Sequence, residues 1–317
     1  MLWVPDLPTS IVTQPWRWAA AAASALLLVV VVVLGVVGWI GSERAIHPSP
    51  NEELPRVEDF AQLPLDEIVF LSRDGTRLAG WFLRRSSGGE GAPDTPTLLL
   101  LHGYRDRKEQ MLPHAEYLYE AGYNVLLFDF RASGGSEGDA VTFGTREQGD
   151  ARGALDYLQA RGDVDMQRVG LQGLSMGGAV AIMAAARDDR VAGVIAEAPF
   201  KDLPSEVAAS FERRIGLPPF PFAPITVWIT ELRLGISASD ISPLRDVAEL
   251  QGQPLLVIDD ELDDSIAPGS ARAVFEAAPE PRSYWLARGA EHAEGHRDAR
   301  PAYEQRVLEF WAEVFAR

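Results

Sequence analysis

Ser175 lies in Gly173-Leu174-Ser175-Met176-Gly177, between the apolar run Arg168–Gln172 and the small-residue run Gly178–Ala186. A serine at the apex of a sharp strand-to-helix turn is a nucleophile elbow, which lifts its hydroxyl clear of the sheet. The flanking glycines fit that turn, because a Cβ two residues to either side would collide with the neighbouring strand or helix. A serine hydroxyl attacks an acyl carbon only when a base takes its proton and a third group holds the base. Two histidines follow Ser175, His292 and His296, and carboxylates crowd Asp259–Asp264 at the end of the apolar run Pro254–Ile258.

The order serine, acid, histidine resembles the α/β-hydrolase superfamily, and within it the bacterial serine hydrolases near the BEM46-like and serine-aminopeptidase-like members. There the loop after the seventh strand runs Gly-x-x-Asp-x-x-Val-Pro. Aligned without gaps, Asp260 takes the glycine place, Asp263 the acid place and Ile266 the valine place, and Ser270–Phe275 matches the next helix. Asp259-Asp260 stands where His-Gly is usual, and Ala267 where proline is common, so a slip of one residue to Asp264 stays open. The Gly-x-x-His loop falls on Gly289–His292, making His292 the expected general base, and Pro301–Trp311 fits the closing helix. His296, in the polar stretch Glu294–Asp298, reads as an exposed bystander.

The resemblance also implies an oxyanion hole. One donor would be the backbone N–H of Met176. The other would be that of Tyr104, which follows His102-Gly103 at the end of the apolar run Thr97–Leu101. His102 is expected to shape this loop. Asp129–Gly138 matches the family's glycine-rich run after the fourth strand, and Ser133 and Ser136 read as turn residues. The implied chemistry is hydrolysis of an ester or other acyl bond in a small-molecule substrate, without a cofactor. A peptidase is the nearest alternative, and a membrane-held, non-catalytic binding protein a more distant one.

The formal charge of −17, from 46 acidic against 29 basic residues, argues against a nucleic-acid partner. Cysteine is absent, so disulfides and thiolate metal sites are excluded. No spacing of His, Asp and Glu suggests a metal, and there is no glycine-rich phosphate loop. The chain is long enough for one large domain and an appendage.

Residues 1–18 form a short N-terminal segment. Ala19–Ile40 carries no charge, and its 22 residues reach roughly 33 Å as a helix, enough for a hydrocarbon core of about 30 Å. Trp16, Trp18 and Trp39 stand at its ends. This predicts a single-pass membrane anchor, with the side of the catalytic domain undetermined. Residues 41–64 read as a Pro-rich linker that leaves a hydrolase domain, 65–317, complete without the anchor.

Residues 68–71 and 78–83 flank Arg73-Asp74-Gly75-Thr76 as a hairpin. Strands are expected near 97–101, 124–129, 168–173, 191–197, 254–259 and 282–287. Helices are expected near 109–121, 145–160, 177–187, 269–278 and 301–315. This α/β alternation predicts an eight-stranded, mostly parallel sheet with helices on both faces. The segment 203–239 breaks the alternation. It holds Phe211, Leu217–Pro224 and Trp228, and reads as a small cap insertion lining the acyl pocket.

Overall fold

The computed structural model describes residues 15–85 and 95–316. The start of the N-terminal segment and residues 86–94, in the Ser86–Pro96 stretch that the sequence suggests is a loop, lie outside the described residues.

The strands are β1 (Asp66–Leu71), β2 (Arg77–Leu83), β3 (Thr97–Leu101), β4 (Asn124–Phe128), β5 (Val169–Leu174), β6 (Val191–Glu197), β7 (Leu255–Asp260) and β8 (Arg282–Ala287). They form one sheet in the order β1-β2-β4-β3-β5-β6-β7-β8. β1, β2 and β4 pair antiparallel, and every other pairing is parallel. The helices are α1 (Pro15–Ile46), α2 (Leu112–Glu120), α3 (Glu147–Arg161), α4 (Met176–Ala185), α5 (Leu203–Ser210), α6 (Pro219–Leu234), α7 (Pro243–Asp246), α8 (Ser270–Ala277), α9 (Gly295–Asp298) and α10 (Arg300–Phe315).

The near-unbroken apolar runs of β3 and β4 are explained by burial on both faces of the sheet. Alternate residues of β3 enter different cores: Leu99 and Leu101 pack with α3 and α4, whereas Leu98 and Leu100 pack with α2 and α10. The C-terminal ends of the parallel strands meet at one edge of the sheet, where ligands of open α/β sheets bind.

The end of the N-terminal helix differs from the sequence reading. The apolar helix continues past Ile40 to Ile46, so the segment read as linker begins inside it. Hydropathy ends at the first charges, but helix geometry is extended by packing. A Cβ on Gly38 would lie 2.7 Å from the Ile229 side chain, Ser42 accepts a 3.0 Å hydrogen bond from Thr230, and Glu43 pairs with Arg233. The N-terminal helix thus packs on the insertion of the domain that follows it. The first turns of α1 are exposed, with Leu26, Leu27 and Leu28 each about two-thirds accessible.

The insertion folds as α5, a π-helical turn at Phe211–Ile215, and α6. α6 kinks at Phe220, whose ψ is 132°. The kink makes Pro224 tolerable, since the helical bond it cannot donate would have gone to the Phe220 carbonyl.

Candidate active site

β5 delivers Ser175 to the end of the sheet. The residue has φ 52° and ψ −116°, a conformation that a non-glycine residue adopts only when its surroundings impose it. A Cβ on Gly173 would lie 2.3 Å from the Gly177 backbone, and one on Gly177 would lie 2.1 Å from the Leu101 carbonyl oxygen. Both glycines are thus needed for the turn. Ser175 is also the N-cap of α4, so the first N–H groups of that helix, beginning with Met176, surround the hydroxyl with positive potential.

The loops after β7 and β8 bring in the other two groups. His292 Nε2 is 2.8 Å from Ser175 Oγ, and His292 Nδ1 is 2.7 Å from Asp263 Oδ2. The carboxylate can only accept, so Nδ1–H donates to Asp263 and Nε2 accepts from the serine hydroxyl. Asp263 Oδ1 further accepts the backbone N–H groups of Ser265, at 2.7 Å, and Ile266. Burial raises the Asp263 carboxyl, but the bonds from His292 and these amides outweigh it and hold the group below its usual value. Asp264, the one-residue alternative, is exposed.

Tyr104 and Met176 line the same cavity as Ser175 and His292. The Tyr104 hydroxyl donates to the carbonyl of Ala45, at 2.8 Å, near the end of α1. Asn51 N–H donates to the Arg105 carbonyl, also at 2.8 Å, so the residues after α1 brace the loop after β3. His102 is buried and joins two loops: Nδ1–H donates to the Gly103 carbonyl, and Nε2 accepts from Phe130 N–H. Burial lowers its pKa, which keeps it neutral as that pattern requires. Ser136 Oγ donates to the Asp129 carbonyl and accepts from Ala79 N–H, a turn role as expected. The Asp129 carboxylate accepts from Lys108 and from Gly135 N–H. A Cβ on Gly134, at φ 48°, would strike that carboxylate at 2.2 Å.

His296 is not the exposed residue expected. It is buried, stacked on Tyr117 with 5.3 Å between ring centres, and bonded to Glu304. The polar residues around it in sequence face outward, while α9 turns the imidazole under the loop.

Two carboxyls have roles that the sequence reading did not find. Glu197, fully buried at the end of β6, accepts from Tyr303 Oη and from Gly295 N–H. Asp260, at the end of β7, accepts from Ala293 N–H. Both hold the backbone that follows His292. Burial raises both carboxyls, and the Glu197 charge raises Asp260 further. A lone glutamate closing the apolar strand Val191–Glu197 was the available signal.

The cavity over Ser175 has a volume of about 720 Å³ and a mostly apolar lining. Leu203, Val207, Phe211 and Val227 come from the insertion, while Val37 and Ile40 come from α1. Trp228, in contrast, lies on the outer surface. The α1 wall was also missed. Its trace in the sequence is the small-residue face Gly38, Gly41 and Ser42, which lets two helices approach closely.

Comparison with known proteins agrees with this architecture. The profile of the family described as X-Pro dipeptidyl-peptidase (S15 family) matches residues 74–218. The uncharacterized protein YqkD of Bacillus subtilis (strain 168) is 28% identical over 257 residues, 80% of this chain and 81% of that protein. Among solved structures, the Pyrococcus furiosus esterase Pf2001 matches with a TM-score of 0.66 and 24% identity, over 84% of this chain and 97% of the esterase. The α/β hydrolase GrgF from Penicillium sp. matches with a TM-score of 0.64 and 24% identity, over 80% of this chain and all of GrgF. The chain has the α/β-hydrolase fold, with an apolar N-terminal helix added.

Proposed function

We propose that the protein is a membrane-anchored serine hydrolase of carboxylic esters. The observation that carries this reading is the continuous chain of hydrogen bonds from Ser175 through His292 to Asp263. Ser175 Oγ attacks the acyl carbon as His292 Nε2 takes its proton. Asp263 holds the imidazole tautomer and stabilises the imidazolium that forms. The N–H groups of Met176 and Tyr104 receive the oxyanion, an interaction whose loss typically costs about two to three orders of magnitude in rate. The alcohol leaves with the proton from His292. Water, deprotonated by the same nitrogen, then releases the acid from the acyl-enzyme.

Ester specificity is supported by the mostly apolar cavity lining, which suits an acyl chain. The peptidase reading draws on the profile match to the X-Pro dipeptidyl-peptidases, which stops before Asp263. A panel of acyl esters of graded chain length, run beside aminoacyl and dipeptidyl amides, separates the two. Esters are expected to turn over faster, and faster turnover of amides would favour the peptidase.

The anchor is supported by the length and apolar character of Trp16–Ile46. A cleaved signal sequence fits less well, because removing the helix would take away a wall of the cavity. Retention of the intact chain in membranes after alkaline carbonate washing is the expected behaviour. A mature N-terminus near residue 41 would contradict it.

A further inference from the structure

The cavity and the apolar helix share residues. Val37 and Ile40 belong to the last turn of the uncharged stretch, and both line the space over Ser175. Gly41 and Ala45, the next turn, line it as well. The site therefore opens at the level where a bilayer-spanning helix would leave the hydrocarbon.

α6 runs beside α1 at that level. Its Ile225 and Ile229 side chains face Gly38, and its Arg233 guanidinium lies over the Trp39 ring at 4.3 Å. From Pro219 to Thr230 the helix carries no charge, and the first ionisable residue is Glu231. Its outward face is apolar too. Pro224, Trp228 and Leu232 recur every fourth residue and are exposed, and Phe220 at the kink is 79% accessible. An exposed apolar stripe of this size on a soluble protein marks an interaction surface. This one is too short to span a bilayer, and it adjoins a helix long enough to do so. A tryptophan and an arginine at the far end match the residues that favour the headgroup boundary.

We infer that the substrate is an acyl ester of a membrane lipid. Its chain passes from the bilayer along the Val37–Ile40 turn of α1 into the apolar cavity, and its ester carbonyl reaches Ser175 without crossing water. The insertion rests its Phe220–Leu232 face in the same leaflet. This rests on the serine-hydrolase reading and specifies its substrate. A water-soluble ester would need neither the apolar stripe nor a cavity wall built from the anchor.

The test uses the full chain reconstituted in phosphatidylcholine vesicles, with p-nitrophenyl butyrate in the buffer or dioleoylglycerol in the bilayer. The parent protein is expected to hydrolyse both. The triple variant F220Q/W228Q/L232Q alters only exposed side chains that do not line the cavity. It is expected to hydrolyse dioleoylglycerol roughly tenfold or more slowly, since three apolar groups no longer partition into lipid. Its butyrate turnover and fluorophosphonate labelling are expected to stay parental. Three results would overturn the inference: no parental turnover of dioleoylglycerol beside normal butyrate hydrolysis, equal loss on both substrates, or no loss on either. Absence of any Ser175-dependent turnover or labelling would instead remove the hydrolase reading on which the inference rests.

Discussion

The hydroxyl of Tyr104 donates a 2.8 Å hydrogen bond to the carbonyl of Ala45, tying the loop that carries a proposed oxyanion donor to the end of the apolar helix. Helix ends leave carbonyls without intrahelical partners, and here one is satisfied by a residue that lines the cavity over Ser175.

Tyr104→Phe removes this bond and keeps the ring. Turnover of a soluble ester by the full chain is expected to fall by about threefold to tenfold, the scale of one neutral hydrogen bond, with KM nearly unchanged. A chain begun at Asn51 loses a cavity wall as well and is expected to fall further. Parental kcat in both proteins would show that α1 does not position this loop.

Asp263→Asn is expected to lower kcat by about two to four orders of magnitude, because the amide cannot hold the productive imidazole tautomer. Asp264→Asn is expected to stay within about twofold, as befits an exposed surface substitution. Steady-state kinetics on one ester decides between them, and a larger loss in the Asp264 variant would move the acid by one residue.

The buried carboxyls Glu197 and Asp260 give the fold a pH dependence of definite sign. Burial raises both, and the Glu197 charge raises Asp260 further, so the folded state holds protons that the unfolded chain releases. Their stabilising contribution is then present at low pH and lost as pH rises above about 4, the ordinary carboxylate range. Asp260→Asn removes one ionisation and can still accept from Ala293 N–H. Its melting temperature is expected to decline less steeply than the parent's between about pH 5 and pH 9. A steeper decline in the variant would reverse the assignment.

The elbow, the acid loop and the Gly-x-x-His loop were legible because each is a local pattern at the end of an apolar strand. Strand positions were legible for the same reason: Val191–Glu197 and Arg282–Ala287 are buried or half-buried runs bounded by turns. What stayed hidden were contacts between distant segments. Thr230 reaches Ser42 across 188 residues, and Gly295 reaches Glu197 across 98. No periodicity records such pairs. His296 was misread because its polar neighbours describe the surface of α9, while the imidazole packs inward on Tyr117.

The nucleophile assignment is tested most directly by intact mass after exposure to a fluorophosphonate. The parent chain is expected to gain one adduct, mapped to Ser175, and to lose ester hydrolysis in step. Ser175→Ala is expected to keep its fold, gain no adduct and lose turnover. An adduct of equal yield on the Ala variant would place the nucleophile elsewhere and contradict the role given to Ser175, His292 and Asp263.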